Sequence, residues 1–147
     1  MVTVSKANIT NLKEVALLFD AYRVFYNQET NIAAAEQFLF ERISNNQSVV
    51  LIATIDNKAV GFTQLYTTYS SVSLQPTYIL NDLYVYEEFR KKGIGESLLN
   101  EAKKICLTNN YKGLALETAF DNPAQHLYEK LGWTKDSGYF HYFWSAK

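Results

Sequence analysis

Leu83-Tyr84-Val85-Tyr86-Glu87-Glu88-Phe89-Arg90-Lys91-Lys92-Gly93-Ile94-Gly95-Glu96-Ser97-Leu98-Leu99 decides how this chain folds. The first three residues close a β-run from Tyr78 to Val85. The last residues open an amphipathic helix, with Ile94, Leu98, Leu99, Ala102, Ile105 and Cys106 on one face. A six-residue basic and glycine-containing loop, Arg90 to Gly95, joins the two.

The position of that loop matters more than its glycines. Amides exposed at a helix N-terminus, with the helix dipole behind them, make a site for phosphate oxygens. Glycine lets the backbone approach an anion closely, and the basic side chains at 90–92 can neutralise further charge. A phosphate-binding loop of the Gly-Lys-Ser/Thr kind is excluded, because Gly95 is followed by Glu96-Ser97. A dinucleotide fingerprint is excluded as well, because position 98 is Leu where the third glycine would stand. An ordinary strand-to-helix turn with a solvated basic patch would use the same six residues.

Outward from the loop, periodicity predicts the order βααββ, then βαβ, then αβ(β). Val2 and Val4 alternate with polar residues in a short strand. Leu12 to Tyr22 has helical spacing with Asn11 as N-cap, and Ala33 to Ser44 forms a second helix. Ser48 to Ile55 and Ala59 to Tyr69, joined through Asp56-Asn57-Lys58, read as a hairpin. After the glycine loop and its helix come a strand at Gly113 to Thr118, a short helix at Pro123 to Lys130, and a closing strand or hairpin at Trp133 to Ser145. A strand-helix-strand unit places the fourth and fifth strands parallel, giving a mixed α/β sheet with helices on both faces.

Length and composition predict one domain spanning 1–147, with 48% apolar and 20% charged residues. A formal charge of −1 lacks the broad positive field of a nucleic-acid binder. The single Cys106 rules out an internal disulfide. The N-terminus lacks the basic-then-apolar pattern of a secretory leader, and no apolar run reaches membrane-spanning length. A cytoplasmic protein without nucleic-acid or membrane partners is therefore expected.

Leu83-Tyr84-Val85, four residues, then Arg90-Lys91-Lys92-Gly93-Ile94-Gly95 and Leu98-Leu99 resembles the acetyl-CoA-binding motif of the GNAT superfamily of N-acetyltransferases. A second segment, Leu127-Tyr128-Glu129-Lys130-Leu131-Gly132-Trp133, resembles that family's Leu-Tyr-Glu-Lys-x-Gly-Phe segment, and the order of elements matches along the chain. The resemblance implies the GNAT fold: a twisted mixed sheet of about six or seven strands, with strands 4 and 5 splayed where a thioester enters. It also implies acetyl-CoA as cosubstrate. Amides from Lys91, Lys92, Gly93, Ile94 and Gly95, extending to Glu96, would hold its pyrophosphate, with Arg90 at the motif's basic position. Main-chain groups of Leu83, Tyr84 and Val85 would receive the pantetheine arm as an added strand. An amide in that stretch would polarise the acetyl carbonyl.

By the same resemblance Tyr128 is the general acid that protonates the departing thiolate and lies against the cofactor. The family commonly has Asn seven residues before this Tyr. Here position 121 is Asp, so the cofactor-arm contact is assigned to Asn122, with Asp121 as the alternative. The attacking ammonium must lose a proton, and Asp82 is the candidate base by position, a water chain being the other route. Regular alternation sets Asn81, Leu83 and Val85 on one strand face and Asp82 on the other unless a bulge intervenes. Tyr22, Arg23, Phe25 and Tyr26 occupy the region that shapes the acceptor pocket in relatives, with Asn81 also assigned to substrate. His126 and His141 lack ligand spacing, so no metal is expected. Cys106 is expected in the core. Expected function is acetyl transfer to a small-molecule amine such as a polyamine, an amino acid or an aminoglycoside-like compound. A protein lysine or N-terminus is the alternative acceptor, and a non-catalytic CoA-binding sensory module the alternative class. The aromatic run Tyr139 to Trp144 suggests a homodimer.

Overall fold

Four strands of a computed structural model, which describes residues 1–147, form an antiparallel meander: β1 (Thr3–Lys6), β2 (Ser48–Ile55), β3 (Lys58–Ser70) and β4 (Gln75–Val85). A fifth strand, β5 (Leu114–Ala115), joins β4 in parallel. The helices are α1 (Leu12–Phe25), α2 (Ile32–Ser44), α3 (Ile94–Thr108) and α4 (Ala124–Lys130). The chain divides into two compact units, Met1–Glu117 and Thr118–Lys147.

Within the first unit, neighbouring residues of β3 show why helices cover both faces. Phe62 points to one face and meets the Phe19 ring of α1 edge-on at 6.1 Å. Gly61 points to the other, where an added methyl group would meet Ile94 Cγ2 of α3 at 3.3 Å. The α1 and α2 layer buries Val15, Leu18, Phe19, Ala35 and Leu39 over Val50, Ile52 and Phe62. On the other face α3 buries Ile94, Leu98, Leu99, Ala102 and Cys106, so the cysteine is core, as expected.

Gly61 sets how closely α3 approaches the sheet. The same methyl would also stand 3.1 Å from the Tyr84 carbonyl oxygen and 3.1 Å from Val85 Cγ2. The carbonyl belongs to a paired strand and yields little. Gly61→Ala is therefore expected to cost about 1–3 kcal/mol, read as a lower urea midpoint with unchanged slope. An unchanged midpoint would show that the strands and α3 separate freely here.

Three expectations are corrected. Asn11 does not cap α1 with its side chain; its Oδ1 instead accepts from the Asn8 N–H at 2.8 Å, half of a capping box around the turn Ile9–Asn11. β5 is only two residues long, because beyond Ala115 it no longer pairs with β4. Trp133 to Ser145 contains no strand, so the sheet has five strands rather than six or seven. The run from 139 to 144 is aromatic without the alternation that fixes a register. Just before it, Asp136 Oδ1 accepts from the Gly138 N–H at 3.1 Å, a local turn.

In the second unit, Asn122 Oδ1 accepts from the Ala124 N–H at 2.9 Å in the turn before α4. Tyr128 is 8% exposed, and its ring centroid lies 6.2 Å from that of Trp133.

Candidate active site

The glycine loop turns through two left-handed residues, Lys91 at φ 62° and Gly93 at φ 79°. A left-handed Lys costs on the order of 1–2 kcal/mol, a strain typical of functional turns. Such turns aim successive N–H groups to one side and form anion-binding concavities. The helical ladder of α3 begins with the Ser97 N–H donating to Gly93 O at 3.0 Å, which leaves earlier amides of the first turn outside it. A methyl built on Gly93 would meet nothing within 4 Å, so the space above the loop is open.

Arg90 is held against the sheet. Its Nε donates to the Val85 carbonyl at 2.8 Å, and its guanidinium lies 5.4 Å from the Tyr84 ring centroid and 5.7 Å from that of Phe25. Lys92 Nζ stands 5.5 Å from the Phe89 ring centroid. Arg90 thus ties the loop to the end of β4, while Lys91 projects from an exposed position.

Pairing between β4 and β5 covers only Tyr78 with Leu114 and Ile79 with Ala115. β4 then continues to Val85, so the two strands part over that stretch. A bulge sets what β4 presents there. Register jumps between Gln64–Asp82 and Leu65–Leu80, leaving Asn81 as the extra residue. The Tyr78 N–H donates toward β5, to Gly113 O at 2.9 Å, whereas the Tyr86 N–H donates toward β3, to Val60 O at 3.0 Å. Residues eight apart on an unbroken strand would point the same way. The bulge reverses the phase, so Leu83 and Val85 turn their main-chain groups toward the side that β5 has left.

The same bulge brings Asn81 and Asp82 together on a cavity of about 440 Å³, where regular alternation would have separated them. α1 contributes Phe19, Tyr22 and Arg23, α2 contributes Ala34, Ala35 and Phe38, and β3 contributes Tyr66. Asp82 is 2% exposed. Asn81 Nδ2 donates to its Oδ1 at 2.7 Å, and Gln64 Nε2 donates to its Oδ2 at 2.5 Å. Gln64 is oriented in turn by Ser48 Oγ, which donates to its Oε1 at 2.8 Å.

Burial pushes the Asp82 carboxyl above the usual carboxylate range, opposed by hydrogen bonds from Asn81, Gln64 and Tyr22. The hydrogen of the Tyr22 hydroxyl points to the Asn81 carbonyl oxygen at 3.3 Å, beside Asp82. Burial and then the charge of Asp82 drive the Tyr22 phenol well above its ordinary value, and the same two causes push Tyr66 up to about 12. A carboxyl in this setting can take a proton from an incoming ammonium.

Among the residues assigned to substrate, Tyr22 and Asn81 line the cavity and Phe25 and Tyr26 do not. Phe25 turns toward the Arg90 guanidinium, and Tyr26 packs edge-on against Tyr22 at 5.0 Å. Gln64, Ser48, Tyr66 and Phe38 went unnoticed in the sequence. For Gln64 one signal exists, an amide within the apolar run of β3. Asn122 spends its amide oxygen on the Ala124 N–H in the turn before α4, and Asp121 lies exposed beside it.

An open sheet with a strained glycine loop at a helix start, beside two parting strands, defines an α/β scaffold with an anion-binding turn at a free strand edge. The family model described as the acetyltransferase (GNAT) family matches residues 15–133. The chain is 44% identical over 140 residues to the uncharacterized N-acetyltransferase YhfO of Bacillus subtilis (strain 168), covering 95% of this chain and 94% of that one. It is 32% identical over 137 residues to a probable acetyltransferase of Haemophilus influenzae, covering 84% of this chain and 94% of that protein. A crystal structure of a probable acetyltransferase superposes with TM-score 0.92 at 32% identity, over 99% of this chain and 98% of the other. The chain belongs to the GNAT family and is an acetyl-CoA-dependent N-acetyltransferase.

The residues present fit that cosubstrate. The left-handed turns at 91 and 93 and the open space over Gly93 suit a diphosphate, and the main chain of Leu83 and Val85 suits an amide-bearing arm.

Proposed function

We propose that the chain moves an acetyl group from acetyl-CoA to the primary amine of a small molecule, by direct attack in a ternary complex. The observation that carries this reading is a buried carboxylate at the floor of a cavity beside the parting edge of β4. When bound, acetyl-CoA supplies an acyl group activated on sulfur. The loop amides from 91 to 96 hold diphosphate, and Leu83 and Val85 orient the arm and polarise the acyl oxygen. Asp82 takes the proton of the incoming ammonium, and positioning in the cavity supplies much of the rate. Tyr128 returns a proton to the leaving thiolate, an assignment that rests on the Leu-Tyr-Glu-Lys-Leu-Gly match. Residues 1–147 act as one catalytic domain, supported by a family match that runs from α1 to Trp133.

The test is thiol release from acetyl-CoA with a panel of small amines and peptides. Turnover of small amines is expected. Acetylation of peptides alone would transfer the assignment to a protein acceptor, and coenzyme A binding without any turnover would make the chain a sensory module.

A homodimer is part of the same reading. Tyr139, Phe140, Tyr142, Phe143 and Trp144 are each at least 82% exposed, and a second copy would cover them. Light scattering is expected to give twice the chain mass; a monomer would remove this assembly.

A further inference from the structure

The cavity over Asp82 is electrically two-ended. Its floor is acidic, with the Asp82 carboxylate backed by the side-chain amides of Asn81 and Gln64. Its helical wall is positive. Arg23, from the last turn of α1, shares a helix face with Phe19 and lines the cavity. Neither the Arg42–Glu41 pair nor the Lys104–Glu101 pair involves Arg23. Asp20 on the same helix is committed elsewhere: its Oδ1 accepts from the Asn31 N–H at 2.7 Å, and its Oδ2 accepts from Thr30 Oγ1 at 2.6 Å.

Two further features add positive potential on that side. Ala34 and Ala35 belong to the first turn of α2, the positive end of the helix, and that turn carries no acidic residue. Arg42 stacks its guanidinium 4.5 Å from the Phe38 ring centroid, and its buried Nε has no hydrogen-bond partner. Its charge also reaches Tyr66 and opposes the upward shift of that phenol.

We propose that the acceptor is a zwitterion of amino-acid size, with its amine held at Asp82 and its anionic group at Arg23. This deepens the acetyl-transfer reading and rests on it. Arg23 is then the residue that selects the substrate class. A carboxylate meets a guanidinium in a charge-assisted pair, whereas a diamine brings its second ammonium against Arg23. A cavity of about 440 Å³ has room for a molecule of this size. Of the acceptors considered from sequence, the amino acid fits and the polyamine does not.

Matched triplets test this: lysine, lysine methyl ester and 1,5-diaminopentane; alanine, alanine methyl ester and ethylamine. Wild type is expected to favour each free acid over its ester and its decarboxylated amine by about tenfold or more in kcat/KM. Arg23→Gln should abolish that preference, and Arg23→Lys should keep part of it. Thermal shifts by the same compounds, with coenzyme A present, read binding apart from turnover. Equal shifts by acid and ester, or a preference for acid that survives Arg23→Gln, would overturn the two-ended pocket. Selective binding of the acids without acetyl transfer would uphold the pocket and refute the transfer reading.

Discussion

Tyr128→Phe is expected to lower kcat by about 10²- to 10⁴-fold while leaving coenzyme A affinity unchanged. A thiolate must leave from sulfur, and a phenol keeps its proton at neutral pH and can donate it there. The substitution removes one oxygen and keeps the Tyr128 ring, which packs beside that of Trp133. Stopped-flow thiol release and calorimetry with coenzyme A separate chemistry from binding. Equal kcat in the two proteins would take Tyr128 out of the reaction.

Asp82→Asn is expected to reduce kcat/KM by about 10²-fold or more and to flatten its pH profile. In wild type, burial holds the carboxyl above the usual range, so the active, ionised base appears only as pH rises through that raised value. The acidic limb of kcat/KM should therefore lie above the range of ordinary carboxylates, and the amide variant should lack it. Stability runs in the opposite sense. A folded-state pKa above the unfolded one makes the folded state bind a proton more tightly, which favours folding at low pH. That contribution fades as pH climbs through the folded pKa. The Tm of wild type relative to the variant should fall over the same interval in which activity rises. A variant that retained the acidic limb would assign the base to another group or to water.

Local patterning carried most of the fold. The β2–β3 hairpin, the apolar face of α3 and the strand-loop-helix unit around Arg90 are written in residues close together in sequence, and they fold as that spacing dictates. The C-terminal segment was different. A run of aromatics is compatible with a strand, but a strand also needs a partner, and that is not encoded in the run itself. The site divides the same way. Loop glycines and Tyr128 stand in motifs. The setting of Asp82 arises from Gln64, Ser48 and Tyr22, which lie 18 to 60 positions away and meet it only through sheet register and the docking of α1. The bulge at Asn81 had no signature either, since it comes from a mismatch between two strands rather than from one residue type.

Consider a shorter chain in which Asn81 alone is deleted. Its sheet order could survive, since the strands on either side would find the same neighbours. Past the deletion, Asp82 would follow Leu80 directly with Gln64 and Leu65 still opposite, so Leu83 and Val85 would keep their outward main-chain groups while the cavity lost one of two adjacent polar side chains. One surplus residue thus turns two successive side chains toward a single chamber, which an evenly pleated strand cannot do.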